Sequence, residues 1–185
     1  MKKTALFVCI IAVAAIGAAV LSQLGLGGGD RTVIGTGSVS ALSRVAQAFD
    51  RLPSSVLSYP FAARNFASPE GAGARLLKVQ ESLRLYAVPG KGGMLCLIEI
   101  DEMAGTAGGA CADRSVLRTG SIYMADRNED GSRQVVGLVG DDHTFAEANG
   151  KRTRVENNAY VLPHVEDTTF RVGSPTATQT VDLGD

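Results

Sequence analysis

The chain has no tryptophan, and its 185 residues include only four tyrosines, six phenylalanines and two histidines. Platforms that stack on sugars need more flat aromatic area than that. Neither His143 nor His164 belongs to an H-E-x-x-H pair and no serine stands in G-x-S-x-G, which excludes the zinc-peptidase helix and the nucleophile elbow. There is no N-x-Ser/Thr acceptor and no internal repeat. An excess of positive charge is lacking too: Lys and Arg number 18 against 19 Asp and Glu. A nucleic-acid partner is therefore not expected. The densest basic cluster, Lys151-Arg152-Thr153-Arg154, falls in an expected strand, where alternation puts Lys151 and Arg152 on opposite faces.

One absence is positively informative. From Thr4 to Gly29 no residue is charged, and the run is bracketed by Lys2-Lys3 and by Asp30-Arg31. Its apolar part, residues 4–26, would be about 34 Å long as a helix at ~1.5 Å per residue, enough to cross a hydrocarbon core of about 30 Å. The lysines precede the run, so the positive-inside rule keeps the N-terminus in the cytoplasm and sends the rest outward. A cleaved signal peptide is the alternative, with a small-residue site at Gly17-Ala18-Ala19. The anchor is preferred because apolar residues continue through Val20, Leu21 and Leu24, beyond the usual signal-peptide core. Both readings export the remainder. Cys9 lies inside the run after Val8, which is wrong for lipidation.

The expected organisation is a transmembrane anchor over 1–26, a glycine-rich tether over 27–37 and one extracytoplasmic α+β domain over 38–185. Ser40 can cap a helix whose Leu42, Val45, Ala46 and Phe49 form an apolar stripe ending before Pro53. Residues 54–67 read as loop. A second short helix is expected to open at Ser68-Pro69-Glu70. From Leu83 the period becomes two. Strands are expected over Leu83 to Val88 and Met94 to Asp101, the latter with Met94, Cys96, Ile98 and Ile100 on one face and Glu99 and Asp101 on the other. A flexible Gly/Ala loop over 103–110 follows, and then strands at 121–125, 134–139, 144–148, 151–155, 159–162 and 168–172. Asn149-Gly150 and Asn157-Asn158 mark the tightest turns. Connections this short imply antiparallel pairing, as one mainly antiparallel sheet or open barrel with the N-terminal helices packed on it.

Few motifs carry chemistry. Asp126, Asn128 and Asp130, followed by Gly131, fit the opening of a calcium loop, but its twelfth position is Gly137 where a bidentate glutamate should sit. A hairpin turn is the ordinary reading and a weak calcium site the alternative. Gly35-Thr36-Gly37 starts like a dinucleotide fingerprint whose third glycine is Ser40; no βαβ unit supports it. No cofactor is expected. Cys96 and Cys111 are expected to pair as a disulfide in an oxidising compartment, pinning the glycine-rich loop, while Cys9 remains a thiol.

Phe49-Asp50-Arg51-Leu52-Pro53, Leu85-Tyr86-Ala87-Val88-Pro89-Gly90, Cys96-Leu97-Ile98, Cys111 and Val135-Val136-Gly137-Leu138-Val139 together resemble a loose family of uncharacterised exported actinobacterial proteins. Members often continue as Pro-Asp-Gly where this chain has Gly140-Asp141-Asp142. The resemblance implies export and carries no activity. The reading that follows is a membrane-anchored extracytoplasmic binding or structural module, attached through residues 4–26 and open to a protein partner at the cell envelope. The competing reading is an exported hydrolase whose Ser/His/Asp site is assembled in space. An enzyme should bring His143 or His164 into a concave site near a serine or acid, and a binding module should offer an apolar patch or a sheet edge.

Overall fold

The computed structural model describes residues 42, 52–68 and 71–184. The expected membrane segment, the tether and Cys9 lie outside these, and among the described residues no helix is long and apolar enough to cross a membrane. Two short helices, α1 (Ser54–Leu57) and α2 (Pro60–Asn65), stand where loop was expected. Pro60 opens α2, where its missing N–H costs nothing. The helix expected from Ser68 gives way instead to a turn and a strand, β1 (Arg75–Gln80).

Eleven strands follow in three antiparallel sheets. The first has the order β1-β2-β3-β4, with β2 (Leu83–Pro89), β3 (Met94–Asp101) and β4 (Thr106–Asp113). A middle sheet, β5-β6-β9, contains β5 (Ser121–Arg127), β6 (Arg133–Val139) and β9 (Ala159–Val165). The outer sheet runs β11-β10-β7-β8, from β7 (Phe145–Ala148), β8 (Lys151–Arg154), β10 (Thr169–Gly173) and β11 (Thr178–Asp182). The antiparallel expectation holds, but the strands divide among stacked sheets.

Strand parity explains the stacking. In β6, Val136 and Leu138 point one way and join Leu77, Leu85, Leu95 and Leu97 of the first sheet in one core. Val135 and Val139 point the other way and join Ala146, Phe170 and Val172 of the outer sheet in another. The remaining face of the first sheet, with Tyr86, Cys96 and Ile98, is covered by Val56, Ala62 and Phe66 on and beside the helices. The helix expected from Ser40 lies outside the described residues except for Leu42, which is buried in the core between the first and middle sheets. The outer sheet turns its other face to solvent, where Glu147 pairs with both Arg152 and Arg171.

The turns follow their residues. Asn149 and Gly150 have φ of 50° and 69°, and Asn157 and Asn158 of 48° and 66°, the two positive values a type I′ turn requires. Asn157 also donates to Leu77 O at 3.1 Å, and Lys78 reaches Glu156 at 2.6 Å, so this turn covers part of the β1 edge.

The Gly/Ala segment corrects the sequence reading. Only residues 102–105 form a loop, and β4 pairs with β3 from Asp101↔Thr106 to Met94↔Asp113. Asp101 Oδ1 shapes the loop by accepting from Met103 N and Ala104 N. The glycine there serves packing: a Cβ on Gly109 would come within 2.6 Å of the Phe61 ring and 2.8 Å of Ile98. Helix α2 thus rests directly on the strand. Cys96 and Cys111 face each other across the same hairpin and are disulfide-bonded, their Cα atoms 4.0 Å apart. The bridge clamps two strands instead of pinning a loop.

Two stability measurements test this account. Gly109→Ala should lower unfolding free energy by about 2 kcal/mol or more through overpacking, whereas Gly108→Ala, whose Cβ would meet only Met124 Sδ at 3.6 Å, should cost less than about 1 kcal/mol; similar losses at both positions would contradict the Phe61 contact. Replacing both bridged cysteines by alanine should cost roughly 3 kcal/mol in the chain-entropy model, and addition of reductant should reproduce most of that loss in urea titrations of the unaltered chain.

Candidate functional site

The calcium-like triplet is split by its own strand. Residues 122, 124 and 126 of β5 share one face, and this brings Asp126 over the first sheet beside Glu99 of β3. Asn128 and Asp130 belong to the turn. There Asn128 Nδ2 donates to Ser132 Oγ at 2.8 Å and to Pro163 O at 3.1 Å, and Asp130 Oδ1 accepts from Ser132 N at 2.9 Å and Ser132 Oγ at 2.6 Å. Among the described residues no cluster of three or more His, Cys, Asp or Glu is arranged to hold a metal. The glycine at the twelfth position has its own cause. Gly137 is paired with Tyr160, and a Cβ there would lie 2.1 Å from the Tyr160 ring. Tyr160 is fully buried, its hydroxyl 2.8 Å from Ser121 Oγ, and burial raises its pKa.

The same turn also gathers a serine, a histidine and an acid. His164 Nδ1 lies 3.3 Å from Ser132 Oγ and 3.7 Å from Asp130 Oδ2. A hydroxyl has one proton to give and two lone pairs to offer. The Ser132 proton goes to Asp130 and one lone pair takes the Asn128 amide, so the contact with His164 uses the other, with Nδ1–H as donor. The Ser132 hydroxyl thus donates to Asp130 and not to the histidine, the contact that a general base would need. Asp130 is held below the usual carboxylate range, first by the Ser132 hydroxyl, and so stays ionised. The cluster is a capped turn tied to β9.

Glu99 was expected on a polar face and is instead buried, 7% exposed, because β3 has cores on both sides. It accepts from Gln134 Nε2 at 3.2 Å and hydrogen-bonds Asp126. Burial, then the Asp126 charge, push its pKa up to about 7. At neutral pH the buried Glu99 carboxyl is therefore about half protonated.

His143 lies in a different place. The segment after Leu117, the β6–β7 loop and the β10–β11 turn with the start of β11 meet at one end of the middle and outer sheets. They enclose a cleft of about 240 Å³ lined by Arg118, Thr119, Asp142, His143, Ser174, Ala177, Thr178 and Gln179. His143 is buried, and its Nδ1 is 3.0 Å from Asp142 Oδ1, so the histidine does meet an acid in a concave site. The serine present is committed elsewhere: Ser174 Oγ accepts from Thr176 N at 3.3 Å and Ala177 N at 3.2 Å. The walls rest on glycines. A Cβ on Gly140 would come within 2.5 Å of Leu117 O, and one on Gly173 within 2.3 Å of Ala177 O. Neither Arg118 nor the cleft as a whole was singled out in the sequence.

No family model matches the chain, and neither do the curated proteins or the solved structures compared with it.

The Glu99 pair makes a pH prediction whose sign is fixed. Its folded pKa lies above the ordinary 4.5, so its contribution to stability is complete below about pH 4.5 and is lost as pH rises through about 7. Glu99→Gln, neutral throughout, should therefore gain on the unaltered chain by roughly 2.5 kcal/mol between pH 5 and 8. Urea midpoints at the two pH values measure it; parallel pH profiles for both chains would refute the raised Glu99 pKa.

Proposed function

We propose that the chain is a ligand-binding module held at the outer face of a membrane by residues 4–26. One contrast carries the binding half of this reading. The Ser132–His164–Asp130 group is closed on itself, whereas the cleft at Arg118 keeps a guanidinium that has no hydrogen-bond partner among the described residues. A site of this kind can hold a molecule but offers no activated nucleophile to break it. The location is supported by the disulfide, which belongs to oxidising compartments, and by the uncharged segment after Lys2-Lys3. The resemblance to exported actinobacterial proteins points the same way.

Two experiments test the halves separately. Protease added to spheroplasts should digest the domain and leave an anchored N-terminal fragment; a soluble mature chain beginning near Val20 would replace the anchor by a signal peptide, and a protected domain would end the exported reading. A fluorophosphonate probe should leave Ser132 unlabelled in the full chain, and labelling that disappears in Ser132→Ala would restore the hydrolase.

A further inference from the structure

The cleft holds two opposite charges that do not pair with each other. Arg118 ends the 3-10 turn Arg114–Arg118, and its guanidinium contacts no acceptor among the described residues. Asp113 acts on it only at a distance and has its Oδ1 occupied by Ser115 N at 2.8 Å. Across the cleft, Asp142 spends Oδ1 on His143 and has no donor on Oδ2 among the described residues; its side chain is 73% exposed. A lone anion would be drawn to Arg118 and repelled by Asp142, and a lone cation the reverse. A molecule carrying both charges satisfies both.

We propose that the cleft binds a small zwitterion of the amino-acid class, its carboxylate on Arg118 and its ammonium on Asp142. This inference rests on the binding reading given above and names the ligand of that site. The guanidinium fork suits a planar carboxylate. The open cleft, about 240 Å³, has room for one small amino acid. Thr119, Thr178 and Gln179 add hydroxyl and amide groups, so a polar side chain is matched better than a large apolar one. The backbone approaches at Gly140 and Gly173 hold the walls in place before any ligand arrives, which spares part of the ordering cost.

Three probes with one skeleton separate the charges: L-serine has both, ethanolamine lacks the carboxylate and N-acetyl-L-serine lacks the ammonium. They are titrated into the full chain in detergent micelles and followed by NMR at His143 and Thr178. L-serine should bind at least about tenfold more tightly than either of the others. Arg118→Gln should abolish its advantage over ethanolamine, and Asp142→Asn its advantage over N-acetyl-L-serine. If Asp142→Asn lowers the melting temperature, the comparison of L-serine with N-acetyl-L-serine on the unaltered chain decides alone. Equal affinity for those two overturns the zwitterion. Arg118-dependent binding of N-acetyl-L-serine without an advantage for L-serine leaves the binding reading standing, whereas no shift with any probe up to about 50 mM overturns both.

Discussion

The three-stranded middle sheet is apolar on both faces, and the rest of the molecule follows from that. A sheet with one wet face needs a single cover; one with none needs two. Val136, Leu138, Ala159 and Val161 require the first sheet, and Val135, Val139, Tyr160 and Leu162 require the outer one. Sliding β9 by one residue would exchange these sets. The Gly137–Tyr160 pair forbids the slide, because no other position of β6 leaves room for the ring. The first sheet repeats the device at its helical face, where Phe61 lies on Gly109. In both places a strand gives up a side chain so that an aromatic ring can lie on its backbone.

Polar groups are pushed to the rims of this stack and there become legible as chemistry. At one rim Glu99 is trapped under Asp126 and keeps a proton that a solvated carboxyl would release. At the β5–β6 turn the hydroxyl, carboxylate and imidazole neutralise one another's valences and hold β9 in place. At the end where three connections converge lies the cleft with Arg118 and Asp142, and this is where loops on a rigid scaffold usually carry function.

What could be read from the sequence was what one strand or one turn decides by itself. Asn149-Gly150 and Asn157-Asn158 announce their turns, and the strands they join were placed to within a few residues. Cys96 and Cys111 pair as expected. Strand β1 was missed because its hairpin turns at Glu81, with φ of 53°, without the Gly, Asn or Pro that signals a turn. Strand β4 reads as loop since Gly109 answers to the Phe61 ring, a residue distant in sequence. Strand β11 is largely exposed and lacks an apolar rhythm. Glu99 was misplaced for a related reason: alternation gives the side a residue faces but not whether that side is wet. Asp126 was grouped with Asn128 and Asp130 by spacing, while the pleat of β5 turned it the other way. The cleft was invisible because its residues come from three connections that meet only after the sheets have stacked.

Leu42 gives the sheet stack a peg from outside the strands. Between it and Leu52 lie nine residues, and its side chain sits between the first and middle sheets in a seam that also holds Leu97 and Leu138. Chain on the N-terminal side of the domain therefore leads to a buried peg. Withdrawal of this leucine would expose a side chain worth about 2 kcal/mol of burial and open the seam between two sheets.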